Sequence, residues 1–492
     1  MNHEVVDGIP VLWAEAPGPL EAVLMFGCGA QDETLRTLGT THMIEHLAMS
    51  TLPRLHHDHN ASVDLLTTQF TCTGRPEQVT AFLAAVCEAL TALPLDRIEQ
   101  EAGVLAAEDG RVADPMTGEL LSHRYGAQGP GLAAFRGPGA DRIPVEAVRG
   151  TVERYFHRNN AVLLLTGPPP AGLRLPLPDG QRPDRSTPRP VLHTGPSWRH
   201  EDVPGPGIAL HGDLDDPALL LACKVLSERL RATVRHEHGL SYDVGGDAVH
   251  AGPGRGERTV CLDAREGQEA RVAELLWAGA LRLAAEGPTD AELAEEVTGL
   301  RELFEDPRSV THELGEAAGA LLFGDVRQDA QTRLAALEKV TPDQAREAFA
   351  RALETVLLVV PCDAEVEAVL PDGRPLPAYS CATVRDLPSG AAVFRPPLSA
   401  RLRSSEARRA RLAVDDRGLW AREPDGGVHH VPFAEVVGVE MRGPGRVVFG
   451  RDACVIPVVP ELWAGIGAAV DAVDAAVPEH LRYAASAFRP AD

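Results

Sequence analysis

Short apolar runs and longer stripes of 3.6-residue spacing alternate along the chain from residue 9 to residue 361, and the alternation occurs twice. Ile9–Trp13 and Ala22-Val23-Leu24-Met25-Phe26 read as strands around a turn at Pro17-Gly18. A helix is expected after Gly39-Thr40-Thr41. Residues 55–60 (LHHDHN) form a polar loop, and the Thr-rich stretch 62–73 reads as a strand. Val79, Phe82, Leu83, Val86 and Leu90 make one apolar stripe of a helix over 76–93. Further helices are expected over 96–112 and 144–157. The second leads into the fully apolar run Ala161–Leu165, which suits a buried strand.

Residues 167–198 interrupt this order with nine prolines and little periodicity, the pattern of a linker. The alternation then restarts. A strand over 207–211 is followed by a helix over 217–234. Gly239-Leu240-Ser241-Tyr242 precedes a strand, and another is expected over 257–263. Helices are expected over 267–286 and from Thr289. A helix over 342–353 then runs into an apolar strand over 355–361. Both blocks end in a helix followed by a buried strand. The expected fold is therefore α+β, with two related α/β-sandwich domains at residues 1–168 and 201–370 and a Pro-rich linker at 169–200. From 378 to 492 the pattern changes to short apolar runs at 411–414, 418–421, 428–431, 436–441, 447–450 and 454–457, then a helix over 461–477. This predicts a small C-terminal, mainly-β domain with a terminal helix; a pleckstrin-homology-like barrel is one arrangement that fits.

Charge narrows the partners. In 492 residues, 71 acidic side chains oppose 47 basic ones, a net charge of −24 that argues against nucleic acid and anionic membrane surfaces. No apolar run approaches the ~18 residues of a membrane span. The N-terminus lacks the basic-then-apolar order of an export signal. A soluble, cytoplasmic protein is expected. Eight cysteines lie scattered with no Cys-x-x-Cys pair, so free, buried thiols are expected and neither a cysteine metal cluster nor a thioredoxin-type motif is indicated.

The chemistry concentrates in His42-Met43-Ile44-Glu45-His46. On a helix, residues 42, 45 and 46 share one face, and two imidazoles with a carboxylate there can bind zinc and activate water. The order His-x-x-Glu-His is the inverzincin signature. Read alone, it is also compatible with an amphipathic helix whose histidines are solvated or partly buried. Glu101 and Glu108 are seven residues apart, two helical turns, and so would face the same way. His56, His57 and His59 are clustered too, but in a polar loop, where histidines are usually solvated.

Residues 1 to about 370 resemble a half-length unit of the pitrilysin/insulinase family of zinc peptidases, which includes the mitochondrial processing peptidases. The match runs through Gly39-Thr-Thr-His42-Met-Ile-Glu45-His46, the step Asn60-Ala61, the pair Glu101 and Glu108, Arg235-x3-Gly239-Leu240-Ser241-Tyr242, and Glu286-Gly-Pro-Thr289-Asp-Ala-Glu-Leu293. The resemblance implies one zinc ion per chain, held by His42, His46 and Glu108, with Glu45 as general base. It implies Glu101 as an orienting carboxylate; Glu99 fits the spacing less well. Asn60 and Ala61 would enter an edge strand that holds peptide, and Arg235 and Tyr242 would reach across from an opposing half to bind substrate and steady the transition state. Read from the residues alone, Glu101 also fits a solvated helix carboxylate, and Arg235 with Tyr242 a surface pair. His236 and His238 lie inside the Arg-Tyr motif, near the substrate it would hold. The spacing from His46 to Glu108 is shorter than is usual in the family, with the missing residues falling in the 50–60 loop.

The resemblance also concerns assembly. Active family members enclose substrate between two halves, and this chain supplies one. Because both motifs occur together here, a homodimer would be self-sufficient; heterodimeric relatives often divide them between chains. The implied activity is that of a zinc endopeptidase on small or unfolded peptides, one version being removal of a leader from a ribosomally made peptide. The competing expectation is a non-catalytic peptide-binding or scaffolding subunit of a heterodimer.

Overall fold

In a computed structural model, residues 1–108, 113–185, 187, 189–252, 254–325, 328–382, 384 and 386–488 are described. The fold is α+β, with two six-stranded sheets and a small β-rich unit at the C-terminal end. The first sheet has the order Asn2–Val6, Ile9–Trp13, Ala161–Leu165, Leu20–Phe26, Thr68–Gly74 and His59–Val63. Ala161–Leu165 is apolar throughout because it is buried on both faces, parallel to Ile9–Trp13 and antiparallel to Leu20–Phe26. Helices Thr40–Met49, Pro76–Thr91 and Ile98–Leu105 bury Ile44, Leu47, Phe82, Val86 and Ala102 in the core on one face.

The second sheet runs Ala248–Gly252, Arg255–Leu262, Gly207–Asp213, Leu357–Pro361 and Ser197–Glu201, with Val244–Gly245 pairing beside it on Arg255–Leu262. Helices Pro217–Leu230, Glu269–Glu286 and Pro342–Leu353 cover one face. The other face of each sheet is covered by a helix from the opposite block. Val310–Phe323 places Leu314, Ala318 and Leu322 on Leu12, Val162 and Leu164 of the first sheet. Pro115–Tyr125 places Met116 and Leu120 on Ala209, Leu357 and Val359 of the second. Each block thus completes the core of the other.

A buried polar clamp lies at this exchange. Arg124 and Glu257 have fully buried side chains, and Nε of Arg124 donates to Oε1 of Glu257 at 3.0 Å. The other guanidinium nitrogens donate to the carbonyls of His193 at 2.8 Å and Thr355 at 2.6 Å. The Tyr125 hydroxyl donates to Glu257 at 3.0 Å, and His211 Nδ1 lies 2.8 Å from the same oxygen. One guanidinium therefore joins the first block, the linker and the second block.

The Pro-rich segment is a packed strap. Leu173, Leu175 and Leu177 enter the first core, and Arg185 and Arg189 both pair with Asp32. The C-terminal unit has two four-stranded sheets, which share a core with helix Gly467–Ala476 through Ala469 and Val473. It docks on the first block beside residues 35–38. The Arg36 guanidinium lies over the Tyr483 ring, Ser486 donates to Asp141 at 2.6 Å, and Ala127 N–H donates to the Arg451 carbonyl at 2.8 Å.

Several expectations change. The strand expected over 62–73 is a hairpin, His59–Val63 and Thr68–Gly74, because the Asp64 carboxylate accepts the N–H groups of Leu66 and Thr67 and turns the chain. The helix expected over 96–112 ends at Leu105, and residues 109–112 lie outside the described residues. The helix expected over 217–234 gives way at Leu230 to a π-helical segment, Arg231–Glu237. The helix expected over 461–477 is shorter, Gly467–Ala476. Strand Asn2–Val6 and helices Pro115–Tyr125 and Val310–Phe323 were not expected. No single helix among the described residues is long and apolar enough to cross a membrane.

Removing Arg124 would leave Glu257 buried without its cation. Arg124→Ala is expected to lose about 3–5 kcal/mol of stability, whereas replacing the pair together by Met and Leu should recover most of it. Denaturant unfolding of the single and double variants measures this. A single variant within ~1 kcal/mol of wild type would show that the clamp does not hold the blocks together.

Candidate metal centre

The His-x-x-Glu-His segment lies on helix Thr40–Met49, as its spacing predicts. The helix begins after Gly39, whose φ of 98° is left-handed backbone that favours glycine. The Glu33 carboxylate caps it, accepting from Gly39 N–H at 2.7 Å, Thr41 N–H at 2.6 Å and the Thr41 hydroxyl at 2.7 Å. Burial pushes the Glu33 carboxyl up to about 7 against these hydrogen bonds. Met43, Ile44, Leu47 and Ala48 are buried in the core, which turns His42, Glu45 and His46 toward the third helix and the turn beyond it.

Three donor groups converge there. Nε2 of His42 and Nε2 of His46 lie 3.5 and 3.6 Å from Oε2 of Glu108, and the donor atoms of all three residues lie within 4.8 Å of one another. Ligands about 2.0–2.1 Å from a tetrahedral zinc are separated by roughly 3.4 Å. The two nitrogens and one oxygen therefore have both the chemistry and the spacing of a zinc donor set. Glu108 does not sit on the continued helix, as the two-turn spacing implied. It follows the helix end, its N–H donating to the Leu105 carbonyl at 3.1 Å, and the turn itself carries the carboxylate to the imidazoles.

Glu45 lies 3.7 Å from each Nε2 but outside the mutually close set. Burial, then Glu108 and Glu101, pushes its carboxyl up to about 7. Burial and His46 hold the His42 imidazole below its ordinary range, which favours the neutral form a metal requires. Glu101 is buried, with one oxygen 3.7 Å from His46 Nδ1 and the other accepting from Arg97 at 3.1 Å. It stands behind the proposed ligand, on the side away from Glu108. Glu99 is exposed and takes no part.

Asn60 and Ala61 lie on His59–Val63, the edge strand of the first sheet, which runs beside the motif helix. Arg235 and Tyr242 are not brought to the cluster. Among the described residues, no hydrogen bond, ion pair or ring contact joins them to His42, His46 or Glu108. The Arg235 guanidinium lies 5.0 Å over the Tyr242 ring, and Tyr242 is 78 % exposed. Asp263 fastens the Tyr242 loop: one of its oxygens accepts the Ser241 hydroxyl and the N–H groups of Tyr242 and Asp243. His236 lies in the π-helical segment and His238 caps its end. His59 Nδ1 contacts the His57 carbonyl at 2.9 Å, and among the described residues the 56–59 histidines share no metal-sized cluster.

Residues 196–300 match a family model described as Peptidase M16 inactive domain. No curated protein sequence matches the chain. Among solved structures, a protease from Helicobacter pylori superposes with a TM-score of 0.59 at 16 % identity, over 73 % of this chain and 99 % of that one. A peptidase M16 inactive domain from Pseudomonas fluorescens gives 0.54 at 18 %, over 74 % and 99 %. The periplasmic protease PqqL from Escherichia coli gives 0.56 at 14 %, over 85 % of this chain and 55 % of its own. The fold is thus that of M16/insulinase-type peptidase halves, in keeping with the pitrilysin-like resemblance of the sequence. The matched segment 196–300 lies outside the stretch that carries His42, His46 and Glu108.

The position of Glu101 gives a test of the centre. Glu101→Gln is expected to keep the zinc stoichiometry at the His42 site and weaken affinity there by about 10–100-fold, as loss of an outer carboxylate does. Competitive zinc titration reads this; unchanged affinity would make Glu101 a structural carboxylate only.

Proposed function

We propose that the chain is a zinc-dependent endopeptidase acting on small or unfolded peptides, with leader removal from a ribosomally made peptide as one specific form. The convergence of His42, His46 and Glu108 beside Glu45 is the observation that carries this reading. His42, His46 and Glu108 would hold the ion. When bound, zinc supplies Lewis-acid polarisation of the peptide carbonyl and eases deprotonation of water. Glu45 takes the proton of the attacking water and returns it to the leaving amine. Glu101 holds the His46 imidazole in orientation. The outer edge of His59–Val63, at Asn60 and Ala61, binds extended peptide through its backbone groups, which favours unfolded substrates over a fixed side-chain code.

In this reading Arg235 and Tyr242 serve a second half, holding the substrate carbonyl across a closed dimer. The exposure of Tyr242, and the lack of any bond from either residue to the chain's own cluster among the described residues, support that role. A homodimer supplies both motifs to each site, and a heterodimer with a related chain is the alternative. A non-catalytic peptide-binding or scaffolding subunit is the second reading, favoured by the family model that matches residues 196–300, which describes an inactive domain.

Two measurements separate these readings. Zinc-loaded wild type is expected to cleave an unstructured peptide library, and Glu45→Gln to keep its zinc while losing about 10²–10⁴-fold in rate. Full activity in Glu45→Gln would sink the mechanism, and an inert wild type would favour the scaffolding subunit. In solution the chain alone is expected at twice its own mass, with Tyr242→Phe lowering turnover without changing zinc content. A monomer with unimpaired activity would refute the closed-dimer site.

A further inference from the structure

We propose that Cys381, His429 and Cys454 form a second metal site that takes a thiophilic d10 ion, with zinc as the ion to test. The two cysteines are far apart in the sequence, and the fold brings them side by side. Cys381 lies in the segment that enters the C-terminal unit, His429 on strand Val428–Pro432 of its first sheet, and Cys454 at the start of Val455–Val458 in its second. Their donor atoms lie within 4.8 Å of one another. Nδ1 of His429 is 3.0 Å from Sγ of Cys381 and 3.7 Å from Sγ of Cys454.

Two thiols and one imidazole are a borderline-soft donor set. A zinc ion at about 2.3 Å from sulfur and 2.0–2.1 Å from nitrogen separates such ligands by roughly 3.5–3.8 Å. The observed spacings bracket the lower part of that range, so small side-chain movements suffice. Two further features favour an ion over a chance meeting of thiols. The other imidazole nitrogen, Nε2 of His429, is buried without a hydrogen bond but lies 3.0 Å from the Glu423 carboxylate, within reach of the outer partner a ligating histidine takes. Cys454 follows Ala453, a non-glycine residue held at a φ of 67°, and its own N–H is fastened to Asp452 at 3.1 Å. The turn therefore aims Cys454 at the other two donors at some conformational cost.

The ion would tie three separated pieces of chain together. Cys381 lies two residues beyond Tyr379, whose N–H donates to Trp198 of the second block at 2.6 Å. Metal at this point would fix the C-terminal unit against the body of the molecule while joining its two sheets. It would stabilise a small β unit whose own core is modest. This site does not depend on the proposed peptidase activity.

Cobalt tests it, because sulfur ligands give cobalt a near-ultraviolet charge-transfer band that a nitrogen–oxygen site cannot give. The reduced, metal-free, untagged full chain is titrated with cobalt. Wild type and His42→Ala/His46→Ala are both expected to show the band. Cys381→Ser/Cys454→Ser is expected to lose it while still binding metal at the His42 centre. Glu423→Gln, a milder change, is expected to keep the band and weaken affinity about tenfold. Absence of the band in wild type, its survival in the cysteine variant, or a Cys381–Cys454 disulfide in place of bound metal would overturn the proposal. Loss of metal at the His42 centre alone would count against the peptidase reading and leave this site standing.

Discussion

The arrangement of the two blocks depends on one buried ion pair. Arg124 and Glu257 have no access to solvent, so each charge is tolerable only in the presence of the other and of the surrounding hydrogen bonds. Arg124 comes from a helix of the first block that covers the second sheet, and Val310–Phe323 makes the reciprocal exchange. Each sheet would expose an apolar face without the helix lent by the other. The cores are therefore formed together, and the clamp sets how one block sits on the other.

That placement determines what each face can do. In the first block one sheet face is sealed by the exchanged helix, and the other carries the motif helix. The first-block core buries Ile44 and Leu47 and so turns His42, Glu45 and His46 outward against Glu101 and Glu108. Imidazole nitrogens and carboxylate oxygens lie 3.5–3.7 Å apart here; burial first, and then the neighbouring carboxylates, raises Glu45, while burial and His46 lower His42. A divalent cation held there would offset the carboxylate charge. In the second block, Arg235 lies half-buried in the π-helical segment under the exposed Tyr242 ring, and among the described residues no bond joins either to the His42 cluster.

Much of this was legible in the residues. Ala161–Leu165 is apolar at every position and proved a central strand; Thr289 and Glu292 signal a helix start and form a reciprocal cap. His42, Glu45 and His46 were readable because helical spacing is enough to put them on one face. What was missed depends on long-range contacts. Pro115–Tyr125 carries Met116, Leu120 and Arg124 on a buried surface supplied by the other block, and its polar residues conceal that it is core. Glu108 was expected from a continuous helix, whereas a turn after Leu105 delivers it. Cys381, His429 and Cys454 are spread over the C-terminal third and share no local spacing. Only the packing of the two small sheets and of the segment that enters them brings the three together.

The central claim, metal-dependent peptide hydrolysis, is tested most directly by following an unfolded peptide in heavy-oxygen water with metal-free and then zinc-restored chain. Cleavage that appears only on restoring zinc, with the heavy oxygen in the newly formed carboxylates, is the predicted result. Zinc bound at the His42 centre with no cleavage, or cleavage that proceeds equally without metal, would contradict it.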